Sequence, residues 1–155
     1  MVDASRARLF TYERSSEAEG VSEQLSEQRD LVNPARRKRP SELFSDSGGA
    51  SRTGNLQYGL DDHRDAHVDA LDSDFARSVI GNVAEMVKAS AVQRLILCAS
   101  PRMLGELRSA SNDLRRGLRT DELPRNLVKL SPSELRDQLA SYGLLPAASR
   151  RATSA

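Results

Sequence analysis

The run Leu95-Ile96-Leu97-Cys98-Ala99 is uninterrupted apolar sequence closed by Ser100-Pro101. A run this short, without polar alternation, marks a strand covered on both faces, the usual state of a central parallel strand. Ser100 suits a helix N-cap, and Pro101 suits the first helical position, where a missing N–H costs nothing. Leu95–Arg108 therefore reads as a strand passing directly into a helix. The turn between them lies at the strand's carboxyl end, the edge where open α/β sheets bind ligands. No catalytic side chain stands at that turn.

Upstream, Val68, Leu71, Phe75, Val79, Ile80, Val83, Met86 and Val87 recur mostly at three- and four-residue intervals, which predicts a long amphipathic helix from about Asp65 to Ala89. Asp72, Arg77, Asn82, Glu85 and Lys88 fall on its polar side, and Gly81 is expected to permit close packing onto a sheet. Downstream, Leu104, Leu107, Ala110, Leu114 and Leu118 predict a second helix with Arg108, Arg115, Arg116 and Arg119 facing outward. Leu123–Leu130 reads as a further strand. Ser131-Pro132-Ser133-Glu134 is a capping box, opening a short helix that Gly143 ends.

At the front, Arg6–Tyr12 alternates as a strand, Glu13–Glu23 is a polar loop or hairpin connection, and Gln24–Asn33 is an edge strand or extended arm. Asn33-Pro34 punctuates the chain ahead of the basic run Arg36-Arg37-Lys38-Arg39. Ser41–Phe44 suggests one helical turn, and the Ser/Gly-rich stretch after it reads as a flexible loop to about Asp61. The alternation of helix and strand predicts an α/β fold. It would be a single domain over residues 2–146, a mixed central sheet with helices packed on it, followed by a disordered tail at 147–155.

With 155 residues and aromatic content of only 4%, the core must be built from Leu, Val, Ile and Ala. A net charge of +1 gives no global attraction to nucleic acid or membrane, so such binding would need a local patch. The single cysteine, Cys98, lies in the apolar strand and suits a reducing compartment. No apolar run approaches the roughly 20 residues of a membrane span, and the first ten residues lack a signal-peptide core. A cytoplasmic protein without membrane contact is expected.

Candidate chemistry is sparse. His63 and His67 are spaced to share a metal on one helix face, but Arg64 stands where a zinc protease carries Glu, and a polar helix start explains them better. No G-x-S-x-G elbow, Walker loop or dinucleotide fingerprint is present, so no cofactor and no metal are expected. The arginines Arg36, Arg37, Arg39, Arg102, Arg108, Arg115, Arg116 and Arg119, with Lys38, could contact phosphates, although no stacking aromatics are interleaved with them.

The segments DASRARLF, LVNPARRKRPSELFSDSGG, HVDALDSDFARSVIGNV, LILCASPRMLGELR and LVKLSPSELRDQL, in this order and spacing, resemble the bacterial host-attachment protein family from about Val2 to Leu145. That family is more remotely similar to the middle domain of archaeal and eukaryotic class I release factors. The resemblance implies a release-factor middle-domain-like fold and a setting on the ribosome. It also places Gly48, Gly49, Ala50 and Ser51 where a Gly-Gly-Gln loop would precede the long helix. The third residue here is Ala, so the side chain for ester hydrolysis is missing. Family members also carry an apolar strand before the segment matching Val2-Asp3-Ala4. Here Met1 stands at that point, which is expected to reflect a late start assignment rather than a lost strand, since a lost strand would leave an unfilled slot beside the core.

The expected function is that of a non-catalytic cytoplasmic interaction domain contacting ribosome or RNA. The alternative is a release-factor-like hydrolase acting on peptidyl-tRNA esters through Gly48–Ser51.

Overall fold

A computed structural model describes the backbone at residues 1–37 and 57–148, and the side chains at 1–36 and 67–148. The chain opens with a hairpin, β1 (Arg6–Glu17) and β2 (Gly20–Val32), in antiparallel register from Arg6↔Val32 to Glu17↔Gly20. Of the two readings of the polar stretch Glu13–Glu23, a loop or a hairpin connection, the structure has the hairpin, and most of the stretch is strand. Cross-strand pairs such as Arg14–Glu23 and Ser15–Ser22 replace apolar burial there, which is why hydrophobic alternation does not reveal it. Gly20, at φ 136°, supplies the conformation that closes the turn. A bulge between Leu9 and Phe10 shifts the register once.

Helix α1 (Pro34–Arg37) follows, then the long helix α2 (Gln57–Ala89). Gln57–Asp61, expected in the loop, thus begin the helix ahead of Asp65. Strand β3 (Arg94–Cys98) runs into α3 (Pro101–Ala110), where the Ser100 hydroxyl accepts from the Met103 N–H at 3.4 Å. The expected second helix breaks at Ser111, leaving a short α4 (Asn112–Arg115); Leu118 is buried beyond it in a turn. The next strand is β4 (Arg119–Leu123), pairing parallel with β3, and not Leu123–Leu130. Helix α5 (Pro132–Ser141) carries the full capping box: Glu134 N–H to Ser131 Oγ at 3.2 Å and Ser131 N–H to Glu134 Oε2 at 2.9 Å. Gly143 ends this turn at φ 71°.

The sheet departs from the expected continuous one. Among the described residues it consists of two pairs, β2–β1 and β3–β4, joined only through the first two residues. Met1 exchanges both backbone hydrogen bonds with Arg8, at 2.9 and 2.8 Å, and Val2 N–H donates to Cys98 C=O at 2.9 Å. Met1-Val2 therefore runs antiparallel to β1, alongside the carboxyl end of β3.

Side-chain alternation gives the sheet two apolar faces. On one, Val2, Ala7, Leu9 and Leu97 pack with Phe75, Val79, Ile80 and Val83 of α2 and Leu104 and Leu107 of α3. On the other, Met1, Phe10, Ile96, Cys98 and Leu123 pack with Leu135 and Leu139 of α5 and with Leu145. The result is a small single α/β domain with helices on both faces. Two helix-face assignments change. Asp72 is buried, not on the solvent side, because Arg36 reaches it. Gly81 is exposed, with open space where a Cβ would stand, so it makes no close approach to the sheet.

Candidate functional site

Two features could serve function: the arginines around β4 and an open cleft between β1 and β3. The arginines singled out from sequence fall into two groups. Arg36 and Arg102 converge on the middle of the long helix. Arg36 reaches buried Asp72 at 3.2 Å, while Arg102 pairs with Asp69 and approaches Asp72 at 3.8 Å. The side chains of Arg37, Lys38 and Arg39 lie outside the described residues, as do Gly48, Gly49, Ala50 and Ser51.

The second group surrounds β4, whose sequence Arg119-Thr120-Asp121-Glu122-Leu123 puts two adjacent carboxylates on opposite faces of the strand. On the α3 side, Glu122 is held by Arg108 at 2.5 and 3.1 Å and by Arg115 at 3.3 Å. On the α5 side, Asp121 is held by Arg94 at 2.6 Å and by Arg119 at 3.5 Å. Hydrogen bonding from Arg108 is the main cause holding the Glu122 carboxyl below its ordinary range. Arg116 leans on Asp113 at 3.9 Å and is 83% exposed, and Arg119 is 71% exposed. Arg119 belongs to β4 rather than to the helix expected from its spacing. Four arginines thus share two carboxylates, leaving surplus positive charge on both sides of an edge strand. Sequence reading missed Arg94 because its partner, Asp121, comes from a strand that apolar patterning did not mark.

The cleft is the larger concavity, about 670 Å³, and is unrelated to these arginines apart from Arg94 at its rim. Its floor and roof are apolar: Val79, Val83 and Val87 of α2 on one side, Leu135, Leu139 and Leu145 on the other. Its two long walls are the facing edges of β1 and β3. Cys98 borders it, and burial pushes its thiol pKa up, which suits packing rather than nucleophilic chemistry. Among the described residues no His, Cys, Asp and Glu cluster could hold a metal. His63 lies outside the described side chains. No helix of the described residues is long and apolar enough to cross a membrane.

No curated protein and no solved structure matches the chain. The profile of one family, described as protein required for attachment to host cells, matches residues 1–139. That match spans both strand pairs, the long helix, the strand-to-helix turn and most of α5, and on it the chain belongs to the host-attachment family.

Proposed function

We propose that this host-attachment family protein acts as a non-catalytic interaction domain, contacting ribosome or RNA through the arginines that flank β4. One observation carries the reading: among the described residues Arg94, Arg108, Arg115 and Arg119 pair only with Asp121 and Glu122, so positive charge is in excess at an exposed edge. Exposed ion pairs hold their partners weakly, so a phosphate can take a share of these guanidiniums at little cost. Arg116 and Arg119 are the best placed to lead, being the most exposed of the group. Arg102 and Arg36, matched to Asp69 and Asp72, contribute less surplus charge.

Co-sedimentation with ribosomes across a salt series tests the reading. Association should fall steeply with salt, and replacing Arg116 and Arg119 by Ala should lower the log–log slope by about 0.7 to 0.9 for each phosphate that is no longer neutralised. Unchanged association in the double variant would sink it. The release-factor-like alternative, hydrolysis of peptidyl-tRNA esters through Gly48–Ser51, rests on the resemblance alone. Peptide release from stalled ribosomes on adding the protein would favour it over the interaction reading.

A further inference from the structure

No aromatic is interleaved with the arginines in sequence, but the fold brings one to them. Tyr142 caps the carboxyl end of α5 and, at 42% exposure, is the one exposed aromatic residue among the described residues. The guanidinium of Arg125 lies over its ring, 5.8 Å from the centroid. Arg125 stands two residues past the end of β4, in a turn closed by its N–H on the Leu123 carbonyl at 2.8 Å. Two residues past Tyr142, the Leu144 carbonyl accepts from Arg94 Nη1 at 2.7 Å, and Arg94 Nε donates to Asp121 at 2.6 Å. Arg119 shares that carboxylate at 3.5 Å. Strand alternation puts Arg94, Arg119 and Asp121 on the same side of the sheet as Ile96, Cys98 and Leu123, the side that α5 covers. One stretch of surface thus carries an exposed ring and three arginines. Among the described residues Asp121 is the one carboxylate these arginines pair with, and Arg125 has none.

We propose that Tyr142 is a stacking platform for an unpaired base of single-stranded RNA, with Arg125, Arg94 and Arg119 taking the phosphates on either side. The proposal rests on the RNA-contacting reading above and names the form of RNA that the α5 side of the arginine edge selects. An exposed guanidinium over an exposed ring is a weak pair, and a base can replace it on the same π-face. The displaced Arg125 has no carboxylate to pair with and is released to the neighbouring phosphate. Arg94 and Arg119 carry the backbone onward along β4, since they share a single carboxylate. A duplex cannot use the platform, because its bases are stacked on one another and its deep major groove closes them to side chains. It would meet the arginines alone. Stacking also needs no particular base, so the surface would recognise single strands without reading their sequence.

The test is binding of a fluorescently labelled single-stranded oligoadenylate, about ten nucleotides long, to the full chain across a salt series, beside duplex RNA of similar length. Tyr142→Ala should weaken single-strand binding about fivefold or more without changing the log–log salt slope, because it removes a stacking surface and no charge. Tyr142→Phe, which keeps the ring, should bind within about twofold of the unaltered chain. Duplex binding should be the same, within about twofold, with or without the ring. On the unaltered chain the ring-proton resonances of Tyr142 should move upfield as the oligonucleotide is added, while those of Tyr12 stay in place; this readout needs no variant to fold. Unchanged affinity in Tyr142→Ala, an equal loss in Tyr142→Phe, an equal loss for the duplex, or a Tyr142 ring that does not shift would overturn the proposal. If salt-sensitive binding that depends on Arg116 and Arg119 persists in those cases, the platform alone falls and the arginine reading stands. If no RNA binds at all, both fall together.

Discussion

Arg8 shows how far a single side chain can depart from its reading in sequence. Within the alternating Arg6–Tyr12 it is a charged residue between the apolar Ala7 and Leu9, yet it is buried at 8% exposure. Its guanidinium donates to Glu27 at 2.9 Å through Nε and Nη2, and to the carbonyls of Val128 and Leu130 at 3.0 and 2.6 Å. It also lies over the Phe10 ring, 5.0 Å from the centroid. The arginine thus ties the hairpin to the irregular segment before α5, satisfying carbonyls that no strand reaches. Arg8→Met should lower unfolding stability by about 2–4 kcal/mol, because two carbonyls and a carboxylate lose their donor together; urea denaturation measures it. Nothing local signals this role, since its partners lie far along the chain.

Glu122 carries the residue-scale pH prediction. Arg108 and Arg115 hold its carboxyl below the ordinary range, and Arg8 and Arg6 do the same for Glu27 and Asp30. A depressed carboxylate contributes stability that is present above its unfolded pKa and lost as pH falls through the folded value. Stability should therefore decline on acidification from about pH 5 to pH 3, and Glu122→Gln should make that decline shallower. Parallel acid profiles for the two proteins would contradict the assignment.

At the scale of elements, what is decided locally was legible and what is decided by distant partners was not. Ser100-Pro101 and Ser131-Pro132-Ser133-Glu134 start α3 and α5 where the caps demand, because a cap needs only neighbours in sequence. Ser131→Ala should cost about 1 kcal/mol in chemical denaturation. Leu107, fully buried between α2 and the sheet, was equally visible from its helical spacing; Leu107→Ala should cost about 2–5 kcal/mol through the cavity it leaves. Strand β4 was hidden. Its Arg-Thr-Asp-Glu-Leu composition reads as surface, and it becomes a strand because β3 pairs with it and arginines from β3, α3 and α4 neutralise its carboxylates. The apolar Leu127 and Val128, which suggested a strand, are buried without one, through turns anchored on Arg8.

For the molecule as a whole, the α/β class followed from the run Leu95–Ala99 and its flanking helices, and the family match over residues 1–139 agrees with the order of motifs from which the family was read. The strand-to-helix turn after Cys98, where no catalytic side chain is expected, is built for packing: Ser100 caps α3, and Ala99 is fully buried with its N–H donating to the Leu123 carbonyl. Two candidate features lie on either side of it, the arginine edge at β4 and the cleft beside β1. The arginines were legible by type and only partly by place, because charge density is a sequence property while the carboxylates matched to it are a tertiary one. The cleft belongs to sheet topology, which composition does not encode.

The central claim about the fold, two strand pairs that among the described residues are joined only through Met1-Val2, is tested most directly by amide hydrogen exchange on the chain of 155 residues. Amides that face the neighbouring strands, at Leu9 and Thr11 toward β2 and at Leu95 and Leu97 toward β4, should exchange slowly. Those at Phe10, Tyr12 and Ile96, turned into the cleft, should exchange faster by about tenfold or more within the same strands. Uniform protection along β1 and β3, with no alternation between the two sets, would contradict it.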